Sequence, residues 1–576
     1  MAGRLGAVEV AAQDQAEEVD LVVIGAGAAG MTAALVASLE GLRVLVCEKT
    51  AMVGGITATS AGTIWVPGSS QGVAAGVPDS SAEAARYLAS VVGTRDGEAQ
   101  RAAFLEAGPR ALDDLERRTE VRFVAARAHP DYLGNHPGAA FGGRALGPEP
   151  FDGRLLNVED FDRVRPPRPE FMVLGGMMVA RADIAPLLKP FASRANLAQA
   201  VRLLARHARD RLRHRRGTRL VMGNALVARL LYSLRRQGVP IRFDTALVRL
   251  LHEGGRVTGA VLRGPGGERP IRALRGVMLA TGGVAWNPEL RERLFPEATR
   301  PLSLAPEGNT GDGIVAGLSI GAALDDAGSS AGLWMPCSVL ERPDGTRSVW
   351  PHIVLDRAKP GLIAVDGSGR RFVNEAASYH DFCMGMLRAQ DAPSRPAYLV
   401  CDRSFIRDYG IGLVHQGTRR LKPFLDAGYL IEGATLGELA DRLGVPRTAL
   451  ERSVAEHNRF AETGEDEAFG KGSTSMNRFN GDPANRPNPC LRPIGPGPFY
   501  AVAVQPADLA SSAGLRADGD GRALDAAGQP VEGLYVGGND MASIFRGTYP
   551  GPGTTIGPAM VLAWRTARHA AGVEEE

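Results

Sequence analysis

The sequence predicts an α/β protein built on a parallel nucleotide-binding sheet, and three observations predict it. A strand, a glycine turn, a helix and a second strand follow one another within "VDLVVIGAGAAGMTAALVASLEGLRVLVCEKT", residues 19–50. Two more apolar strands end in glycines far along the chain, "VMLATGG" (277–283) and "GLYVGGND" (533–540). A proline- and glycine-rich stretch, "TYPGPGTTIGPAM" (548–560), then enters a last helix.

Residues 20–24 read as a short buried strand, and Gly25, Gly27 and Gly30 as a G-x-G-x-x-G turn. Residues 29–39 read as a helix, and "RVLVCE" as a second strand ending in Glu48, 18 residues after Gly30. Glycines there let the backbone reach a pyrophosphate at the helix N-terminus, where free N–H groups point at the charge. Glu48 is placed to accept hydrogen bonds from ribose hydroxyls. Strand, turn, helix, strand and acid together make the full dinucleotide context rather than a lone motif. The competing reading is a glycine-rich turn in an ordinary βαβ unit.

"GGITATSAGTIWVP" (54–67) follows directly, so three distant glycine-tipped segments would converge on one large cofactor. At the far end, Pro558 suits a first helical position, 559–571 forms helix well, and Gly572 suits the stop. The helix N-terminus therefore follows Thr554 and Thr555, where its dipole favours negative charge by roughly 0.3–1 kcal/mol. Pro550 and Pro552 have fixed φ and no N–H to donate. Gly551 and Gly553 keep their N–H groups and carry no side chain. The Tyr549 hydroxyl and the Gly553 N–H make a two-pronged grip for one carbonyl oxygen. Losing one such donor from an enolate-stabilising site costs ~2.7–4 kcal/mol. Taken alone, the same stretch reads equally well as a rigid structural loop.

Composition narrows the function class. The 66 Lys and Arg against 64 Asp and Glu leave a net charge of +2, which speaks against nucleic acid or another polyanion as partner. Five scattered cysteines without a CxxC give neither a metal site nor a disulfide framework, pointing to a reducing, cytoplasmic setting. Residues 1–19 carry acidic residues and no long apolar run, unlike a signal peptide, and no stretch of 18 apolar residues occurs. At 576 residues the chain has room for more than one domain.

The glycine-tipped segments at 20–67, 277–283, 307–315 and 533–560 resemble FAD flavoproteins, specifically the family of fumarate reductase flavoprotein subunits and 3-ketosteroid dehydrogenases. The resemblance implies a Rossmann-like FAD-binding domain formed by both chain ends, 1–298 and 496–576. A substrate-capping catalytic domain of α+β type, 299–495, is inserted between them. It implies an FAD site made by Gly25, Gly27, Ala28, Ala29, Gly30, Glu48, Lys49, Gly54, Gly55, Thr57, Ser60, Ala61 and Gly62. Val248, Ala280, Thr281, Gly282, Asp312, Gly538, Asn539, Thr554, Thr555 and Ile556 complete that set.

"TYPGPGTTIGPA" resembles the end of 3-ketosteroid Δ1-dehydrogenases, which implies that Tyr549 and Gly553 bind a ring ketone. "RRFVNEAASYHDF" (370–382) resembles the stretch that carries their catalytic base, which implies Tyr379. "HPDYLGNHPGA" (129–139) offers Tyr132 as its helper, although Tyr132 also reads as a loop aromatic. Tyr379 would take the α-proton and a hydride would pass from the β-carbon to flavin N5. Fumarate-reducing relatives place a histidine where this chain has Ala510 and Ser511, and a dicarboxylate needs cationic clamps. A small cyclohexanone-type ketone such as 4-oxocyclohexanecarboxylate is the alternative substrate, with an enoate reductase or an FAD scaffold without turnover behind it. The electron acceptor would be a quinone or a carrier protein.

An insert at 170–220 lengthens the first domain. Its segment 196–219 places Leu197, Val201, Leu204, Ala208 and Leu212 on one helical stripe, with six arginines elsewhere. Two readings stand: a basic amphipathic helix on an anionic membrane, or a helix packed on the protein with its arginines in water.

Overall fold

The computed structural model describes residues 17–389 and 396–573. The reading of the first residues as free of a signal peptide falls almost wholly outside them. The main sheet has a parallel core in the order Ile241–Arg242, Val44–Cys47, Glu17–Ile24, Gly267–Leu279, Pro530–Val536. Its central strands are continuous apolar runs, as a sheet covered on both faces requires; Leu21, Val22, Val23, Val277, Met278 and Leu279 are wholly buried. The helices Ala28–Leu39 and Ile556–Ala571 pack along each other beside it. The strand Pro530–Val536 pairs directly with Gly267–Leu279, so both chain ends build this sheet, as expected.

A second, antiparallel sheet runs Arg347–Pro351, Gly332–Glu341, Phe499–Ser511, Ala397–Asp402, Leu362–Val365. Its long middle strand pairs with Ala397–Asp402 through its first half and with Gly332–Glu341 through its second. This differs from the expected division at 495/496, because that strand stays in the second sheet as far as Ser511. An alternating strand and an apolar run look alike in one sequence, so pairing partners decide the membership.

In the insert, the helix covers Arg194–Asp210, shorter than the expected 196–219, with the Ser193 hydroxyl accepting from the Asn196 N–H at 3.1 Å. Ala200, His207 and Asp210 face the protein, while Leu197, Val201, Leu204 and Leu212 face outward. The helix thus packs on the chain through Ala200, His207 and Asp210 rather than through its apolar stripe. Asp210 explains the orientation: its carboxylate takes the Thr218 N–H and hydroxyl at 2.8 and 2.7 Å. Arg216 is also not part of a surface stripe; it is buried and donates to Asn224 and to the Val164 carbonyl.

Candidate active site

The parallel sheet ends in a cleft lined by segments from both halves of the chain. Of the expected cofactor residues, Gly25, Gly27, Ala28, Ala29, Glu48, Lys49, Gly55, Thr57, Ala280, Thr281, Gly282, Asp312, Gly538, Asn539, Thr555 and Ile556 line it. Segments far apart in sequence therefore do converge. Gly25 has φ +106°, and a Cβ there would lie 2.2 Å from the Ala280 carbonyl oxygen, so the turn closes only around glycine. The Glu48 carboxylate accepts from the Ala26 N–H at 3.0 Å and from the Thr50 N–H at 2.9 Å, which holds the glycine turn. Lys49 joins Asp312 at 2.9 Å and so ties the first strand pair to the 307–315 segment.

Other expected cofactor residues stand elsewhere. Gly30, Gly54, Ser60, Ala61 and Gly62 do not line the cleft; the glycines and Ser60 shape the turns beside it, and Ala61 is exposed. Thr554 lines a smaller neighbouring cavity that shares Gly538, Asn539 and Thr555 with the cleft. Val248 does not line the cleft; Thr245 and Leu247 do. Strand alternation turns neighbouring side chains to opposite faces. Sequence reasoning missed Arg165, which lines the cleft, donates to the Thr50 hydroxyl at 3.1 Å, and buries an Nε without a partner. It also missed Asp540, fully buried, whose carboxylate takes the Thr281 and Gly283 N–H groups at 2.5 and 2.8 Å.

The three tyrosines share an apolar cluster with Ala510, a residue of the cleft wall. Tyr132, Tyr379 and Tyr549 are buried, with ring centroids 5.6 Å (132–379), 5.8 Å (132–549) and 5.1 Å (379–549) apart. The Tyr379 ring stands edge-on to both other phenols, at 81° to Tyr132 and 64° to Tyr549. Each comes from a different element. Tyr379 opens the helix Tyr379–Ala389, Tyr132 sits in a loop, and Tyr549 starts the glycine–proline strap.

The strap is pinned through its backbone. The Pro550 carbonyl accepts from the Tyr87 hydroxyl at 2.7 Å and from the Tyr132 N–H at 2.8 Å. Gly551 leaves room for Trp65, whose indole N–H donates to Asp131 at 2.8 Å. Gly553 has φ +92°, and a Cβ there would fall 2.6 Å from Ile64 backbone carbon and the Thr63 oxygen. Its carbonyl accepts from the Trp65 and Gly557 N–H groups. Its own N–H donates to no acceptor among the described residues. On the other side, His380 accepts from the Trp334 N–H at 3.3 Å and bonds the Gly547 backbone; burial lowers its pKa, which keeps the ring neutral.

Burial pushes all three phenols upward, Tyr379 well above the ordinary tyrosine value. For Tyr379 the neighbouring phenols add to that burial effect. Ala510 lines the cleft and packs in the apolar cluster around the tyrosines, and offers a carboxylate no charge at that position.

A two-sheet architecture, a glycine-walled cleft fed by both chain ends, and buried phenols clustered with its Ala510 wall define an FAD-dependent dehydrogenase. Residues 20–556 match the family described as an FAD binding domain. A 4-oxocyclohex-2-ene-1-carboxylate 5-dehydrogenase of Sinomonas cyclohexanicum is 40% identical, over 96% of this chain and 93% of its own. A 3-oxosteroid 1-dehydrogenase of Mycobacterium tuberculosis is 35% identical, over 96% and 98%. The crystal structure of 3-ketosteroid delta1-dehydrogenase from Sterolibacterium denitrificans superposes with a TM-score of 0.89 at 34% identity, covering 97% of this chain and 100% of that one. The chain belongs to the FAD-binding family that holds the 3-oxosteroid 1-dehydrogenases, and its cofactor is FAD. The glycine cradle, the carboxylate of Glu48 and the helix N-terminus at Ile556 suit a dinucleotide with an anionic pyrophosphate.

Proposed function

We propose that this protein desaturates a cyclic ketone beside its carbonyl, as a 3-ketosteroid Δ1-dehydrogenase. The carrying observation is the convergence of Tyr379 and Tyr549, ring centroids 5.1 Å apart, with the Gly553 N–H, which has no acceptor among the described residues, four residues beyond Tyr549. The Tyr549 hydroxyl and Gly553 N–H receive the ketone oxygen and stabilise its enolate form. Tyr379 takes the proton from the adjacent carbon, and Tyr132 shares the resulting hydrogen bond. The apolar surround of the three phenols excludes water from that transfer. FAD, when bound, supplies the acceptor for the hydride that leaves the neighbouring carbon.

Anaerobic mixing of the yellow protein with androstenedione, 4-oxocyclohexanecarboxylate or succinate tests this reading. Bleaching by the steroid is expected. Bleaching by succinate alone would refute the ketone mechanism. Bleaching by the small ketone alone would establish the second reading, which the 40% identity to the Sinomonas enzyme favours. The same assay, continued with added quinone or a carrier protein, identifies the electron acceptor by the return of colour.

We also propose that the insert rests on an anionic membrane surface. Phe191 is 88% exposed and Leu212 82%, beside outward-facing Leu188 and Val201 and the exposed Arg202, Arg209 and Arg213. Apolar side chains ringed by arginines suit an interfacial position. No helix among the described residues is long and apolar enough to cross a membrane. Co-sedimentation with phosphatidylglycerol vesicles, lost in Phe191→Glu, is the expected result; equal pelleting of both proteins would contradict it.

A further inference from the structure

A phenol raised by burial is a poor base, and the molecule must offset that. Tyr132 and Tyr379 lie in an apolar cluster that also holds Cys337, Ala358 and Tyr549. Of the titratable groups around them, the Cys337 and Cys383 thiols are raised by burial and stay neutral, and His380 is neutral. The nearby carboxylates are already engaged. Asp131 is held by Arg144 at 2.7 Å, and Asp356 by His352 at 2.5 Å. Glu375 is held by Arg371 at 2.9 Å with Lys471 at 3.6 Å, and Asp381 accepts from Ser378 at 2.6 Å.

One cation in this shell, Arg357, forms no side-chain salt bridge among the described residues, although Asp356 and Glu375 lie within reach of its field. Arg357 is wholly buried, and its guanidinium donates only to backbone carbonyls. Nε reaches the His352 oxygen at 3.0 Å, Nη1 the Glu375 oxygen at 2.6 Å and the Ala377 oxygen at 3.3 Å. The guanidinium lies 4.4 Å from the Phe382 ring centroid, on the helix that Tyr379 opens. Burial lowers Arg357 to about 10, so it remains charged at neutral pH, and its field favours the ionised Tyr132 phenol.

We infer that Arg357 is a positioning residue for proton abstraction, clamping the 375–377 backbone that presents Tyr379 and placing a positive charge where it favours the ionised form of Tyr132, the phenol beside Tyr379. The α-carbon proton passes to the phenolate oxygen, the C–H electron pair enters the enolate, and Arg357 neither gains nor loses a proton. The inference rests on the reading of Tyr379 as base. A cation buried near an acid lowers its pKa, because the charge is poorly screened there.

The test is the pH profile of kcat/KM in Arg357→Gln and Arg357→Lys, with the FAD-loaded enzyme and androstenedione. In wild type, Tyr379→Phe must remove turnover; if it does not, the base reading fails first and separately. In Arg357→Gln the acid limb is expected to move to higher pH by about one unit or more, with a loss of ~10-fold at neutral pH. An unchanged limb, or a rate lowered equally at every pH, would overturn the inference in favour of a purely structural clamp. Should the Gln variant not fold, Arg357→Lys decides. A buried lysine titrates below its ordinary value, as the equally buried Lys471 does. Its profile must then gain an alkaline fall that wild type lacks, and a profile without one would overturn the inference.

Discussion

Tyr379 and Tyr549 pack edge to face, with ring centroids 5.1 Å apart and planes at 64°, although one opens a helix beside the second sheet and the other starts the strap before the last helix. The pair therefore brings together two segments 170 residues apart in sequence. In the proposed reaction, a proton acceptor and a hydrogen-bond donor so placed would act on neighbouring atoms of one ring.

Removing the donor hydroxyl should spare binding of the cofactor and remove chemistry. Tyr549→Phe is expected to keep FAD and to lose ~10²-fold or more in kcat. Stopped-flow bleaching of the loaded variant measures it, and a wild-type rate would take Tyr549 out of the mechanism.

A side chain at Gly553 should displace the strap itself. Gly553→Ala puts a methyl 2.6 Å from the Ile64 backbone at φ +92°. A loss of at least ~1 kcal/mol in unfolding stability is expected from backbone strain alone, with turnover falling further than in Tyr549→Phe. Denaturant titration reads the first effect; unchanged stability would mean that the strap tolerates a Cβ.

The rate should climb with pH. Burial raises the three phenols, and the base acts only when ionised, so the active form is scarce at low pH and grows as pH rises toward the raised value. Log kcat/KM is expected to increase from pH 6 to about 9. A flat profile over that range would count against a phenolate base.

Stability should run the same way on the acid side. Opposite charges beside Asp356 and Glu375 outweigh their desolvation and lower both to about 2, and burial lowers His457 to about 3. For each, the unfolded chain takes up protons before the folded one. The stabilisation is present above the ordinary histidine and carboxylate values and is lost as pH falls from 6.5 toward 2. Calorimetric Tm is expected to drop steadily below pH 6.5, and His457→Gln to flatten the first part of that drop.

Much of the cofactor half was legible in the sequence because its signals are local. Gly25, Glu48 and the start of the last helix each announce themselves within a few residues of chain. Tyr379 was legible only through resemblance, since a tyrosine before a histidine carries no pattern of its own. Arg165 and Arg357 were not legible at all. Each owes its role to partners distant in sequence, the Thr50 hydroxyl for one and the Ala377 carbonyl for the other. The outward turn of Leu197, Val201 and Leu204 was hidden for a similar reason. Periodicity marks a stripe, but Asp210 and His207 decide which side of the helix meets the protein.

The most direct measurement is a crystal structure of the FAD-loaded protein with androsta-1,4-diene-3,17-dione. The ring-A ketone oxygen should lie within hydrogen-bonding distance of both the Tyr549 hydroxyl and the Gly553 N–H, with the adjacent carbon facing Tyr379. A ketone oxygen turned away from that pair would contradict the account.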